Sequence, residues 1–240
     1  MSKTLIALAT YNEADNIRDL ISDIRGQAPR ADILVIDDNS PDGTGDILEE
    51  IKAQAPNIMV IHRPGKLGLG SAHVLAMNTA IEKKYDQLVT MDADYSHHPR
   101  YLPILLELLQ NHDFVIGSRY VQGGRCDYGL LRTIISKTAN YAARFLLSLP
   151  LKECTTAYRG YQVSLLAEIP PSAIRSEGYS FFTEALYAVS KLTDRMAEFP
   201  IHFEDRRAGQ SKISKKEILN GALTVFRLFF KRILSPFISK

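Results

Sequence analysis

Leu88-Val89-Thr90-Met91-Asp92-Ala93-Asp94 is a short apolar run that stops on two carboxylates one residue apart. Too brief for a helix face and followed by a polar loop, it reads as a buried strand from about Gln87 to Met91. Working outward, similar runs occur at about Thr4 to Ala9, Ile33 to Asp37, Ile58 to His62 and Phe114 to Gly117. Between them apolar residues return at helical spacing, as in Ile17, Leu20, Ile21 and Ile24, in Ile47, Leu48 and Ile51, and in Leu102, Leu105, Leu106 and Leu109. Alternation of this kind builds an α/β domain with a Rossmann-like, mostly parallel sheet and helices on both faces. Ligands of such sheets bind beyond the carboxyl ends of the strands. Here those ends are Thr10-Tyr11-Asn12-Glu13, Asp37-Asp38-Asn39-Ser40 and Asp92-Ala93-Asp94, so three acidic ends share one rim and predict one site.

The rest of the chain sets bounds on that reading. Its 240 residues suit a single domain, and 45% hydrophobic with 23% charged residues is ordinary globular composition. A formal net charge of +2 is too mild for a nucleic-acid partner, so any anion must be met by local clusters. Cys126 and Cys154 form neither a close pair nor a zinc-like cluster, which fits two free thiols in a reducing cytoplasm. The N-terminus shows no signal-peptide pattern. The most apolar long stretch, Ile218 to Ile238, is interrupted by Asn220, Arg227, Lys231 and Arg232 and is not a membrane span. Beyond residue 122 the pattern is less regular: helices at about Leu130 to Leu149, near Phe182 to Leu192 and from about Lys215 suggest a lid and acceptor platform on the same domain.

Several residues carry chemistry on their own account. Two carboxylates flanking one residue at a strand end can turn toward one hard cation, and such oxygen donors suit Mg²⁺ or Mn²⁺ bridging to phosphates. The competing reading of any Asp-x-Asp is a capped or solvated turn, and position is what favours the metal here. Of Asp37-Asp38, one carboxylate caps the following helix and Asp38 meets a ligand. Tyr11 and Glu13 divide evenly between a nucleotide contact and a helix-start role. Gly65-Lys66-Leu67-Gly68-Leu69-Gly70 matches neither a Walker loop nor a dinucleotide fingerprint, because His73 stands where the third glycine belongs; it is a glycine turn feeding a helix. His97 and His98, with no Cys/His cluster beside them, read as polar surface or local hydrogen-bonding residues.

Together, Ala9-Thr10-Tyr11-Asn12-Glu13, Val35 to Thr44, Gly68 to Ala72, Met91 to Asp94 and Gly117-Ser118-Arg119-Tyr120 resemble the inverting family 2 glycosyltransferases of GT-A fold, and specifically the dolichyl- or polyprenyl-phosphate mannose synthases. The likeness continues through Leu131-Arg132, Ile135-Ser136-Lys137, Cys154-Thr155, Tyr158-Arg159, Gly178-Tyr179, Glu184 and Gly209-Gln210-Ser211-Lys212, in order along nearly the whole chain. The resemblance implies transfer of a sugar, most often mannose from GDP-mannose, to polyprenyl or dolichyl phosphate. It implies that Tyr11, Glu13, Asp38, Asp92, Ala93, Arg206 and Lys212 hold the nucleotide-sugar, that Asp92, Asp94 and Ser96 surround Mg²⁺ or Mn²⁺, and that Asp94, Arg119 and Arg132 take part in catalysis. It divides the chain into a nucleotide-sugar-binding half over 1–122, an acceptor half over 123–212 and an amphipathic C-terminal helix over 213–240. It also admits a small membrane helper subunit. Ala9 in place of a usual proline, Ser96 in place of a glutamine, and Glu153-Cys154-Thr155-Thr156 in place of an Asp-x-Thr-Gly pattern depart from the family.

In the closing segment Ile218, Leu219, Ala222, Phe226, Phe229, Phe230 and Ile233 recur near helical spacing amid Lys215, Lys216, Arg227, Lys231 and Arg232. This combination resembles an interfacial helix, which would leave the protein cytoplasmic and peripherally attached to the membrane surface. Ile218 to Leu223 is read as core packing and the part from Phe226 as the membrane contact. Rival readings are a related transferase using a UDP-sugar with a lipid-phosphate or saccharide acceptor, more remotely a nucleotidyltransferase, and a catalytically silent nucleotide-binding subunit. Ala9 to Ala14 lacks the glycine- and arginine-rich loop of the second, and the survival of Asp92 and Asp94 argues against the third.

Overall fold

The structure, a computed structural model, describes residues 2–169, 174–176, 178–204 and 215–238. Strands β1 (Thr4–Thr10), β2 (Asp32–Asp37), β3 (Ile58–His62), β4 (Gln87–Asp92) and β5 (Phe114–Ser118) fall within a residue of the predicted runs at each end. They alternate with helices α1 (Ile17–Gln27), α2 (Thr44–Gln54), α3 (Leu69–Glu82) and α4 (Leu102–Leu108). The later elements are β6 (Arg125–Cys126), α5 (Leu130–Leu147), β7 (Arg159–Gln162), α6 (Val163–Glu168), α7 (Ser180–Val189), β8 (Met196–Pro200), β9 (His202–Phe203) and α8 (Lys215–Ile238).

The main sheet has the order β3-β2-β1-β4-β7-β5-β8, and β7 alone runs antiparallel to its neighbours. Its central strands are apolar on both sides, as strands covered on two faces must be. Leu5 and Ala7 of β1 point into one core with Leu34 and Ile36 of β2, while Ile6 and Leu8 point into the other with Ile33 and Val35. The first core is closed by α3, α5, α6, α7 and Leu228 of α8, the second by α1, α2 and α4. Gly160 lets β7 lie against α4, since a Cβ there would come within 2.6 Å of both Leu105 and Leu109.

The chain runs β1 to β2 to β3 in one direction and then crosses back to β4 on the other side of β1. That reversal opens a crevice at the carboxyl ends of β1 and β4, the place where sheets of this kind bind ligands. Parallel register sets Ala9 beside both Ile36 and Asp92, and Thr10 beside Asp37, so the three acidic ends do lie on one rim.

The core reading of Ile218 to Leu223 is corrected here. Ile218, Leu219 and Leu223 are exposed, whereas Thr224 and Leu228 are buried, because α8 turns a narrower stripe inward than its composition suggests. Both cysteines are free. Among the described residues no helix is long and apolar enough to cross a membrane.

Candidate active site

The rim is built by loops that hold one another. Asn12, at φ 61°, turns the chain out of β1 and donates its N–H to Ser40 Oγ at 3.0 Å; Glu13 N donates to Thr44 Oγ1 and Ala14 N to Asp42 Oδ2, each at 3.0 Å. Asp37 is buried and accepts from Thr10 Oγ1, Ser40 N and Ser40 Oγ. The helix-start role falls to Asp42, which accepts from Thr44 N at 3.0 Å; burial alone would raise its carboxyl, but bonds from Thr44 and Ala14 hold it below the usual range. Glu13 accepts from Asn16 Nδ2 at 2.8 Å, next to the first turn of α1. The Tyr11 ring is exposed and lies 4.2 Å beneath Lys66 Nζ.

Asp38 is buried and paired with Arg63, a residue that sequence reasoning missed. Arg63 follows β3, its N–H bonds to Asp37 O at 2.8 Å, and its guanidinium also donates to Ser71 Oγ (2.6 Å) and Gly68 O (3.2 Å). One arginine thus ties the second acidic end to the glycine turn before α3. Gly68 takes φ 95°, a backbone state that favours glycine, and this explains the turn. His73 fills the space between α3 and α7, stacked on Phe181 and edge-on to Phe182, which accounts for a side chain where a dinucleotide fingerprint needs none.

At the end of β4, Asp94 is buried and its Oδ1 accepts from Ser96 N at 3.0 Å, closing a tight loop in which Tyr95 sits at φ 66°. Tyr95 is anchored from behind by its hydroxyl, which donates to Asp23 Oδ2 at 2.9 Å. Of its two readings His97 takes the hydrogen-bonding one, buried behind this loop and not on the surface, while His98 keeps a local role by accepting from Arg100 N. The Asp92 amide donates to His97 Nδ1 at 3.0 Å, so Nδ1 is the acceptor and Nε2 carries the hydrogen it gives to Thr156 Oγ1 at 2.8 Å. Nδ1 also lies 3.3 Å from Asp92 Oδ2, but with its lone pair spent on the amide it has no proton to share and the two do not form an ion pair.

Across the crevice stand Arg119, Tyr128 and Arg132. Arg119, expected to take part in catalysis, is turned inward: Nε and Nη2 each donate to the Glu153 carboxylate at 2.8 Å, Nη2 also reaches Thr155 Oγ1, and Nη1 lies 3.4 Å from Tyr128 OH. Glu153 is fully buried and additionally accepts from the amides of Thr155 and Thr156. Burial alone would raise its carboxyl, but Arg119 and the Thr155 bonds hold it below the usual range. Glu153 thus supplies the counter-charge that fixes Arg119. Arg132, in the first turn of α5, places its guanidinium 3.7 Å over the Tyr128 ring, with its buried Nε left without a hydrogen-bond partner. Burial raises the Tyr128 phenol, Arg119 and Arg132 act to lower it, and Asp92 acts to raise it. One tyrosine thus lies beside both arginines, its hydroxyl 3.4 Å from Arg119 Nη1 and its ring under the Arg132 guanidinium.

Asp92, Asp94 and Ser96 offer hard oxygen donors, but among the described residues no group of three or more His, Cys, Asp or Glu could hold a metal ion. Two carboxylates with room left over fit Mg²⁺ or Mn²⁺ that completes its shell with water and a diphosphate. Ala93 is buried between them. Arg206 and Lys212 lie outside the described residues.

A family model described as Glycosyl transferase family 2 matches residues 5–169. An undecaprenyl-phosphate mannosyltransferase from Micrococcus luteus is 40% identical over 88% of this chain and 88% of its own length. A polyprenol monophosphomannose synthase from Mycolicibacterium smegmatis is 38% identical over 90% of this chain and 83% of its own. Among solved structures, glucosyl-3-phosphoglycerate synthase from Mycobacterium tuberculosis, in complex with Mn²⁺, uridine diphosphate and phosphoglyceric acid, superposes with a TM-score of 0.67. At 18% identity over 95% of this chain and 78% of that one, the likeness speaks for the fold, which is the expected GT-A arrangement.

Proposed function

Because the chain belongs to glycosyl transferase family 2, we propose that it moves mannose from GDP-mannose to the phosphate of a membrane-resident polyprenol, inverting the anomeric configuration. The observation that carries this reading is the pairing of a carboxylate rim on β4 with an arginine-lined wall opposite it, in a chain about 40% identical to the Micrococcus luteus undecaprenyl-phosphate mannosyltransferase. The nucleoside lies toward Asp38, Arg63 and Tyr11, and the diphosphate lies over Asp92 and Asp94. A divalent cation held by these two carboxylates and by Ser96 would supply charge neutralisation for the departing diphosphate.

A lipid phosphate needs no protein base, because its second pKa is about 6 and it is largely dianionic near neutral pH. At the end of β4 the site agrees with that requirement, for His97 is committed to the Asp92 amide and Thr156. Arg132 orients the acceptor phosphate, while Arg119, locked to Glu153, stiffens the wall behind it. A phosphate oxygen attacks the anomeric carbon opposite the leaving group, the bond from that carbon to the diphosphate breaks, and an α-linked donor gives a β-linked lipid-phosphate sugar. The acceptor being a lipid, α8 rests its exposed apolar face on the membrane surface.

The test is to incubate purified protein with Mn²⁺, polyprenyl phosphate and a panel of radiolabelled GDP- and UDP-sugars. Label from GDP-mannose should enter the organic phase, and Asp94→Ala should lower that rate roughly 10²–10³-fold, the effect of losing one preorganised electrostatic contact. Transfer from a UDP-sugar instead would overturn the donor assignment, and an α-linked product would overturn the inversion.

A further inference from the structure

The ladder between β4 and β7 reaches Thr90 and Arg159, where Thr90 Oγ1 also donates to Ala157 O at 2.7 Å. Beyond that pair one chain runs on to Asp92 and the other comes back from Thr156, and the His97 imidazole stands between them in place of further rungs. Its Nδ1 accepts from the Asp92 amide at 3.0 Å and its Nε2 donates to Thr156 Oγ1 at 2.8 Å. The ring is buried, with Phe203 edge-on to it at 5.1 Å and Tyr158 tilted against it at 5.2 Å, so neighbours on both sides fix its plane.

Each end of the imidazole leads to one part of the site. On the first, Asp92 belongs to the carboxylate rim, and the tight loop closed by Asp94 and Ser96 runs directly into His97. On the second, the Thr156 amide donates to Glu153 Oε1 at 3.2 Å, and the Glu153 carboxylate holds Arg119 by two bonds of 2.8 Å. Arg119 Nη1 lies 3.4 Å from Tyr128 OH, and Arg132 sits 3.7 Å over the Tyr128 ring. A run of contacts therefore joins the rim to the arginines through a single ring. A neutral imidazole carries an acceptor and a donor on one rigid frame, whereas asparagine reproduces only the near position and glutamine only the far one.

We infer that His97 is a positioning residue for transfer, a strut that sets the carboxylate rim against the arginine wall and so lines up the acceptor phosphate with the donor. The inference rests on the transfer reading above and deepens it. His97 acts through Asp92 and Thr156 and exchanges no proton with the substrates.

The two ends of the strut can be cut separately in the full-length protein. His97→Asn keeps an oxygen for the Asp92 amide and releases Thr156, while His97→Gln reaches Thr156 and releases Asp92. Calorimetry with a short, water-soluble prenyl phosphate, in GDP and Mn²⁺, should show His97→Asn weakening acceptor binding roughly tenfold, with GDP affinity in Mn²⁺ within about twofold of the parent. His97→Gln should reverse the pattern. Thr156→Val should reproduce His97→Asn, Thr156→Ser should restore the parent, and His97→Asn/Thr156→Val should bind acceptor no worse than either single variant, since both cut the same joint. Losses that multiply in the double variant would overturn the strut, as would GDP and acceptor affinities that fall together, or stay unchanged, in both His97 variants. A parent that binds both ligands but moves no mannose would sink the transfer reading, while the pattern among the variants still decides the strut.

Discussion

His73 shows how one buried side chain links packing to pH. Burial, helped by the positive charges of Arg159 and Arg63, lowers its imidazole to about 3, and its Nε2 has no hydrogen-bond partner. Between the ordinary value of 6.5 and about 3, the unfolded chain binds a proton that the native chain refuses, so stability falls as the pH drops through that window. Urea unfolding should show a loss of about 2 kcal/mol between pH 7 and pH 5 from this group, and His73→Gln should remove it. Arg119 and Glu153 make the complementary case. Arg119→Met would strand a buried carboxylate and should cost about 3–5 kcal/mol, whereas Arg119→Met with Glu153→Leu should recover most of it. Chemical denaturation of the single and double variants measures both, and additive losses would contradict the pairing.

At the scale of elements, the strands were legible because residues that alternate between two cores must be apolar throughout. The middles of β1 and β2 are, β4 is but for Thr90, whose hydroxyl donates to Ala157 O, and the acids at their carboxyl ends mark the rim. The antiparallel β7 was not legible: Arg159-Gly160-Tyr161-Gln162 is too short and polar to declare itself, and it is held by the close seat of Gly160 on α4. Gly160→Ala should therefore cost about 1–3 kcal/mol, read as a lower urea midpoint at unchanged slope. In the site, the residues at strand ends could be read from position alone. Arg63 carried the same signal, directly after β3, and its partner Asp38 was read without it. His97, Tyr128 and Glu153 gave no such signal, because their roles arise from contacts such as those with Thr156, Arg132 and Arg119 that join distant segments. On α8 the composition suggested an amphipathic helix, but which turns face inward depended on what α7 and α5 offered it.

Taken whole, the molecule couples its site to its outer helices through a few polar joints. Glu184 on α7 accepts from the amides of Arg175 and Ser176 and from Arg227 of α8 at 2.6 Å, while Glu217 holds the Tyr179 amide, so α8 is fastened to the segment leading into α7. On the opposite side of the crevice, α5 supplies Arg132. On the proposed function, what the whole arrangement serves is a carboxylate rim that would take up a nucleoside diphosphate together with a divalent ion. Calorimetric titration of GDP into the protein with and without Mn²⁺ tests that most directly. The account predicts that Mn²⁺ tightens GDP binding by at least about tenfold, and that Asp94→Asn abolishes the gain. Equal affinity for GDP in the presence and absence of Mn²⁺ would contradict it.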